Sequence, residues 1–165
     1  MRTLANGRIQ LIWLTSKPVD PEAVTLAEAD AGVHIEGSVL KSDYRLSATG
    51  SDTVDDSVLS AENNATTFSS SNYEGTITVL RELDAAGAPD ASDTAFDTLG
   101  TKGTFGYLLE VQGPKSSAAL AADMEYSLYE VITDDPQKPS DFGGYIKRTI
   151  PLGVQEAWEH HALVA

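Results

Sequence analysis

Three histidines, His34, His160 and His161, and the acidic series Asp84, Asp90, Asp93 and Asp97 are the residues whose types could hold a metal or move a proton in this 165-residue chain. Consecutive histidines on a strand point to opposite faces, so His160 and His161 cannot chelate one ion as an i, i+2 pair could. Glu159 and His161 are expected to share a face, but two ligands do not make a site. The aspartates lack the spacing of a calcium loop. Asp90, Asp93 and Asp97 fit instead the N-terminal half of a helix, where the macrodipole favours anions. Gly100, Gly103 and Gly106 precede a strand rather than a helix and have the wrong spacing for a dinucleotide-binding turn, so they read as turn glycines. There is no Walker loop, no G-x-S-x-G elbow and no H-E-x-x-H. No pair among the 25 acidic residues is singled out as glycosidase carboxylates. With no cysteine, disulfides and thiolate metal sites are excluded. The Asn64-Ala65-Thr66 sequon has no secretion signal beside it, and Asp134-Asp135-Pro136 is strand-end turn chemistry. The expectation is a protein without catalytic residues, cofactor or metal.

The elements that would carry such residues are mostly strands. Ile9, Leu11 and Trp13 alternate with Arg8, Gln10 and Ile12. Tyr73, Gly75, Ile77, Val79 and Leu83 alternate with Glu74, Thr76, Thr78, Leu80 and Glu82 in the cleanest period-two pattern of the chain. Phe105 to Val111 and Tyr126 to Ile132 repeat the signal, and Tyr145 to Ile150 predicts a fifth strand. Val154 to Val164 predicts a closing strand, although Glu156-Ala157-Trp158 could start a short helix, and Tyr44, Leu46 and Ala48 suggest one strand more. Thr25 and Glu28 have the form of a capping box, with Gly32 placed to end a short helix in a left-handed conformation, although Pro21 and Asp30 also suit a mere turn. A second helix is expected from about Ala91 to Leu99, with Asp90 or Ser92 as N-cap and Gly100 as stop. Residues 50–71 and 85–93 read as long loops, and loops of that length usually bind something. The length suits one domain, 1–165, that is mainly β: an antiparallel β-sandwich or small barrel with one or two short helices.

Charge is uneven. Eleven basic residues against 25 acidic ones leave a net −14, while 41% apolar residues suffice for a core. That balance argues against a phosphate-binding surface and against anionic membranes. No run approaches the ~20 apolar residues of a membrane-spanning helix, and the N-terminus does not read as a signal peptide. Residues 1–17 carry Arg2, Arg8 and Lys17 and no acid, whereas residues 20–62 carry ten acids against Lys41 and Arg45. A basic arm on an acidic body suits head-to-tail contact between identical copies, the kind that makes rings or filaments.

The segment from Ser42 to Leu83 resembles major tail tube proteins of long, non-contractile-tailed (siphovirus-type) bacteriophages, particularly those infecting actinobacteria. The likeness rests on Ser42-Asp43-Tyr44, Ser51-Asp52-Thr53-Val54-Asp55, Asn64-Ala65-Thr66-Thr67-Phe68 and Ser71-Asn72-Tyr73-Glu74-Gly75. It continues more loosely through Pro89-Asp90, Lys102-Gly103 and Phe105 to Val111, and takes in Trp13 and the Pro21 to Gly32 element. The appended immunoglobulin-like domain of some relatives is not expected here.

The resemblance implies a phage tail tube fold, a β-sandwich or small barrel with a flanking helix, six copies of which form a ring. Rings would stack around a tape measure protein between tail terminator and distal tail proteins. The tube would be assembled in the host cytoplasm, become part of the virion tail, and pass DNA without gripping it. Repeated around rings, the negative charge would repel phosphates from the lumen. Candidate subunit and ring contacts are Arg2, Arg8 and Lys17 of the arm, with Asp52, Asp55, Asp56, Glu62, Asn63, Asn64 and Phe68 of the 50–71 loop. A binding module is the alternative, an acidic β-sandwich for carbohydrate or surface binding.

Overall fold

The computed structural model describes residues 4–55, 58–59, 66–113 and 115–165. Its strands are β1 (Ile9–Leu14), β2 (Val33–His34), β3 (Arg45–Ala48), β4 (Thr53–Asp55), β5 (Thr66–Phe68), β6 (Tyr73–Leu80), β7 (Phe105–Gln112), β8 (Glu125–Thr133) and β9 (Lys147–Ala162), with helices α1 (Leu26–Asp30) and α2 (Thr94–Leu99). Seven strands form one antiparallel sheet in the order β2-β1-β7-β8-β9-β6-β3, and β4 and β5 pair separately. The expected mainly β architecture with two short helices is the one observed.

The long strand β9 organises the sheet. Its first half pairs with β6, from Leu80↔Lys147 to Gly75↔Leu152, and its second half pairs with β8, from Thr133↔Leu152 to Glu125↔Ala162. Each half is therefore shared with a different neighbour, which lets the sheet fold over on itself. Residues 35–44 close the open side. The Ile35 amide donates to the Leu11 carbonyl at 2.9 Å, and the Leu40 amide to the Thr78 carbonyl at 2.8 Å.

Alternation along the strands then sorts two cores. Leu11, Trp13, Leu46, Ile77, Val79, Leu108, Tyr129, Val131, Ile150 and Leu152 face inward, with Ala95 and Leu99 of α2 among them. Ile12, Leu14, Tyr107, Leu109, Val111, Tyr126 and Leu128 face the other way and are covered by Val24, Ala29 of α1 and Leu163. The central strand β7 is consequently buried on both faces, with only Phe105 and Gln112 exposed within it.

Several expectations are corrected by these contacts. The two strands expected at Tyr145 to Ile150 and Val154 to Val164 are one, β9, and Glu156-Ala157-Trp158 lie within it rather than in a helix. Leu83 lies beyond β6, in an isolated bridge to Pro89. The second helix starts at Thr94, with Asp93 at the N-cap in place of Asp90 or Ser92. Its first residues are unavailable because Asp90 accepts the Ser92 amide and hydroxyl in a turn of its own. The 50–71 loop contains β4 and β5.

The capping box is present. The Thr25 hydroxyl accepts the Glu28 amide at 3.2 Å while Glu28 accepts the Thr25 amide at 2.9 Å. Gly32 serves space rather than a left-handed turn, since the C-cap, Ala31, is right-handed and a β-carbon at position 32 would meet the Trp13 carbonyl at 2.9 Å.

Candidate functional site

The residues with chemical potential are occupied in holding the fold. Asp84 accepts the amides of Ala86 and Ala88. Asp93, almost fully buried, binds the Arg81 guanidinium at 2.8 Å and the Glu82 amide at 3.0 Å, and that guanidinium stacks 3.8 Å from the Phe96 ring. Lys102 bridges Asp134 and Asp135, which lowers the Asp134 pKa and raises that of Lys102. Glu110 is buried on β7, where Tyr44 and Gln112 donate to it; burial first, and then this carboxylate, push the Tyr44 phenol well above its ordinary range. Among the described residues no three His, Asp or Glu side chains gather as a metal site.

Glu159 and His161 do not share a face as expected. Between the pairs Tyr126↔His161 and Leu128↔Trp158, β9 carries one residue more than β8, and His160 takes φ +62° there. That bulge resets the alternation. Glu159 accepts the Tyr129 hydroxyl at 2.6 Å, in the inner cluster, whereas His161 lies beside the Tyr126 ring on the opposite side. His160 itself points to Glu125, which raises its pKa.

Large apolar residues are exposed in two places on the surface. The β4–β5 hairpin stands out from the Ala48/Tyr73 end of β3 and β6, and its six strand residues are all exposed. Its register places Phe68 opposite Thr53 and Val54 opposite Thr67. Phe68 and Val54 thus point to opposite faces, and neither is covered by the body of the domain. The base is fixed by Asn72, which donates to the Gly50 carbonyl and to Asp52, and by mutual amide–carbonyl bonds of Asp52 with Ser69 and Ser70. A second exposed apolar stretch, Phe142, Tyr145 and Ile146, lies just before β9.

Of the contact residues named from the sequence, Asp52, Asp55 and Phe68 belong to the hairpin and its base. Asp56, Glu62, Asn63, Asn64 and Arg2 lie outside the described residues. Arg8 donates to the Gly113 carbonyl at 2.8 Å, and Lys17 sits 4.9 Å over the Trp158 ring. These two cations are therefore laid against the domain's own surface, and residues 9–14 of the 1–17 segment are the strand between β2 and β7. The Phe142 to Ile146 stretch was missed because Tyr145 and Ile146 read as the start of a strand.

The fold is thus a seven-stranded antiparallel sheet with two short helices, from which a two-stranded hairpin carries Phe68 and Val54 into solvent. The chain belongs to the phage tail tube protein family, whose model matches residues 1–165. It is a structural component of a phage tail. Among curated proteins, no match was found. No helix in the described part is long and apolar enough to cross a membrane.

Proposed function

We propose that this chain is the repeating subunit of a long, non-contractile tail tube, assembling into hexameric rings that stack around a tape measure protein. Tail terminator and distal tail proteins close the two ends, and the genome passes through the lumen during ejection. The chain performs no catalysis in this reading; it is made and polymerised in the host cytoplasm.

The observation that carries the proposal is the exposed hairpin. A two-stranded ribbon is marginal in water by itself, and this one leaves Phe68 75% and Val54 44% exposed. A neighbouring copy would supply the missing cover. The net charge of −14 supports the conduit, because like charge on the wall keeps DNA from adhering. The edge strands β2 and β3, of two and four residues, are short enough to pair with neighbours within a ring without inviting open-ended aggregation.

Negative-stain microscopy of the purified chain over a range of salt and concentration tests this. Rings or hollow tubes are expected. A protein that sediments as a monomer under every condition overturns the reading.

A further inference from the structure

We infer that the β4–β5 hairpin of one copy docks on the Phe142–Ile146 stretch of the next copy, head to tail. This names the partner surface of the hairpin and rests on the tube-subunit reading above.

Four observations lead to it. First, both surfaces are apolar and open: Phe68 is 75% exposed on the hairpin, and Phe142, Tyr145 and Ile146 are 80%, 81% and 51% exposed on the other stretch. Gly144, at φ +79°, makes the bend between Phe142 and Tyr145, and Asp141 fixes the approach to it by accepting the Gly143 amide at 2.8 Å.

Second, the two surfaces lie at opposite ends of one strand. The hairpin leaves the sheet at the Tyr73 end of β6, where Ala48 pairs with Tyr73. The other stretch enters at the far end, where Leu80 pairs with Lys147 and the Arg81 amide donates to the Ile146 carbonyl. Eight residues of strand separate them, about 26 Å at ~3.3 Å per residue. They do not meet within one chain.

Third, this arrangement sets the kind of assembly. Two different patches at opposite ends of a rigid body make a heterologous contact, which repeats without closing on a pair. Displacement along β6 brings the hairpin of each copy to the Phe142–Ile146 stretch of its neighbour, so one contact propagates a stack.

Fourth, the charges match in sign. Residues 50–71 contain no Lys or Arg, and Asp52 and Asp55 flank the exposed Val54. Residues 138–148 carry Lys138, Lys147 and Arg148 against Asp141 alone. Among the described residues, no carboxylate forms an ion pair with any of these three cations. Glu82, Asp84 and Asp90 at the same end keep their charge while accepting a hydroxyl or backbone amides, so the match in sign is local to these three cations. Opposite charge around an apolar centre fixes orientation and register.

The absence of cysteine makes the contact directly testable. Phe68→Cys and Tyr145→Cys are prepared as separate full-length chains, mixed, and treated with a mild oxidant. Docking brings the two α-carbons within the roughly 7 Å that a disulfide spans. Heterodimers are expected at a yield roughly tenfold or more above that in denaturant, because docked thiols meet at high effective concentration. A chain carrying both substitutions should give a ladder of cross-linked multimers, and Lys138→Glu should lower the heterodimer yield.

The same mixtures are viewed by negative stain. Tubes without Phe68→Cys to Tyr145→Cys linkage overturn the docking inference and leave the tube reading standing. Linkage only between two Phe68→Cys chains overturns it in favour of a symmetric hairpin contact. Absence of tubes from the parent chain viewed beside them, with no linkage in the mixtures, overturns both.

Discussion

Gly106 lies against the indole of Trp13: a β-carbon at position 106 would stand 2.7 Å from Cε2 and Cη2 of that ring. The glycine is not among those with left-handed φ, so space rather than backbone freedom requires it. Trp13, at 2% exposure, thereby fills the inner core above β7. Gly106→Ala should destabilise the domain by about 1–3 kcal/mol through overpacking. A shift of the denaturation midpoint at unchanged slope would check it, and an unshifted midpoint would show that Trp13 has room to move.

The Arg81–Asp93 pair is enclosed, with side-chain exposures of 13% and 4%. Asp93→Ala leaves the guanidinium and the Glu82 amide without their acceptor, and should cost about 3–5 kcal/mol. Arg81→Met combined with Asp93→Leu should cost less than the two single changes together. Urea unfolding of all three variants measures this coupling, and strict additivity would contradict it.

The cap of α1 predicts an acid response. The amides of Val19 and then Thr25 hold the Glu28 carboxyl below its ordinary value of 4.5. A lowered folded-state pKa contributes stability that is present above the unfolded value and lost as pH falls through the folded one. The difference between the parent chain and Glu28→Gln should therefore persist above pH 4.5 and shrink below it, as read by thermal melting against pH. Thr25→Ala should cost ~1 kcal/mol, the usual value of an N-cap.

Truncation separates the strand from what precedes it. Deleting residues 1–5 should leave cooperative unfolding intact, since β1 begins at Ile9. Deleting residues 1–17 removes a strand paired on both sides and should abolish it. Circular dichroism of both truncated chains decides the folding question, and microscopy of the shorter deletion tests whether the terminus aids stacking.

The hairpin should tolerate change alone and fail in company. Phe68→Asp alters stability by no more than about 0.5 kcal/mol, the usual scale for an exposed position, yet should block tube formation. Loss of folding together with assembly would mean that Phe68 supports its own domain instead.

Local pattern was enough for some features and insufficient for others. Alternation alone located β1, β6, β7 and β8, because each carries its period-two signal within eight or nine consecutive residues or fewer. The capping box of Thr25 and Glu28 was legible for the same reason, since both partners lie within one turn. Of the assembly surfaces, Phe68 was visible as a large apolar residue in a polar loop. Its pairing with Thr53 was not, because that depends on bringing separated residues together.

Long-range contact decided the rest. Pro151 and Gly153 interrupt the signal of β9, and only pairing with β6 on one side and β8 on the other keeps that strand continuous. The bulge at His160 sends Glu159 and His161 to different cores, a result no alternation rule can give once a residue is inserted into one strand of a pair. Gly106 reads as a turn glycine until Trp13 comes to lie over it. The placement of the two exposed apolar surfaces at the two ends of β6 follows from the fold of the chain, because residues 53–55 and 66–68 on one side and 142–146 on the other acquire a common axis only through the sheet that separates them.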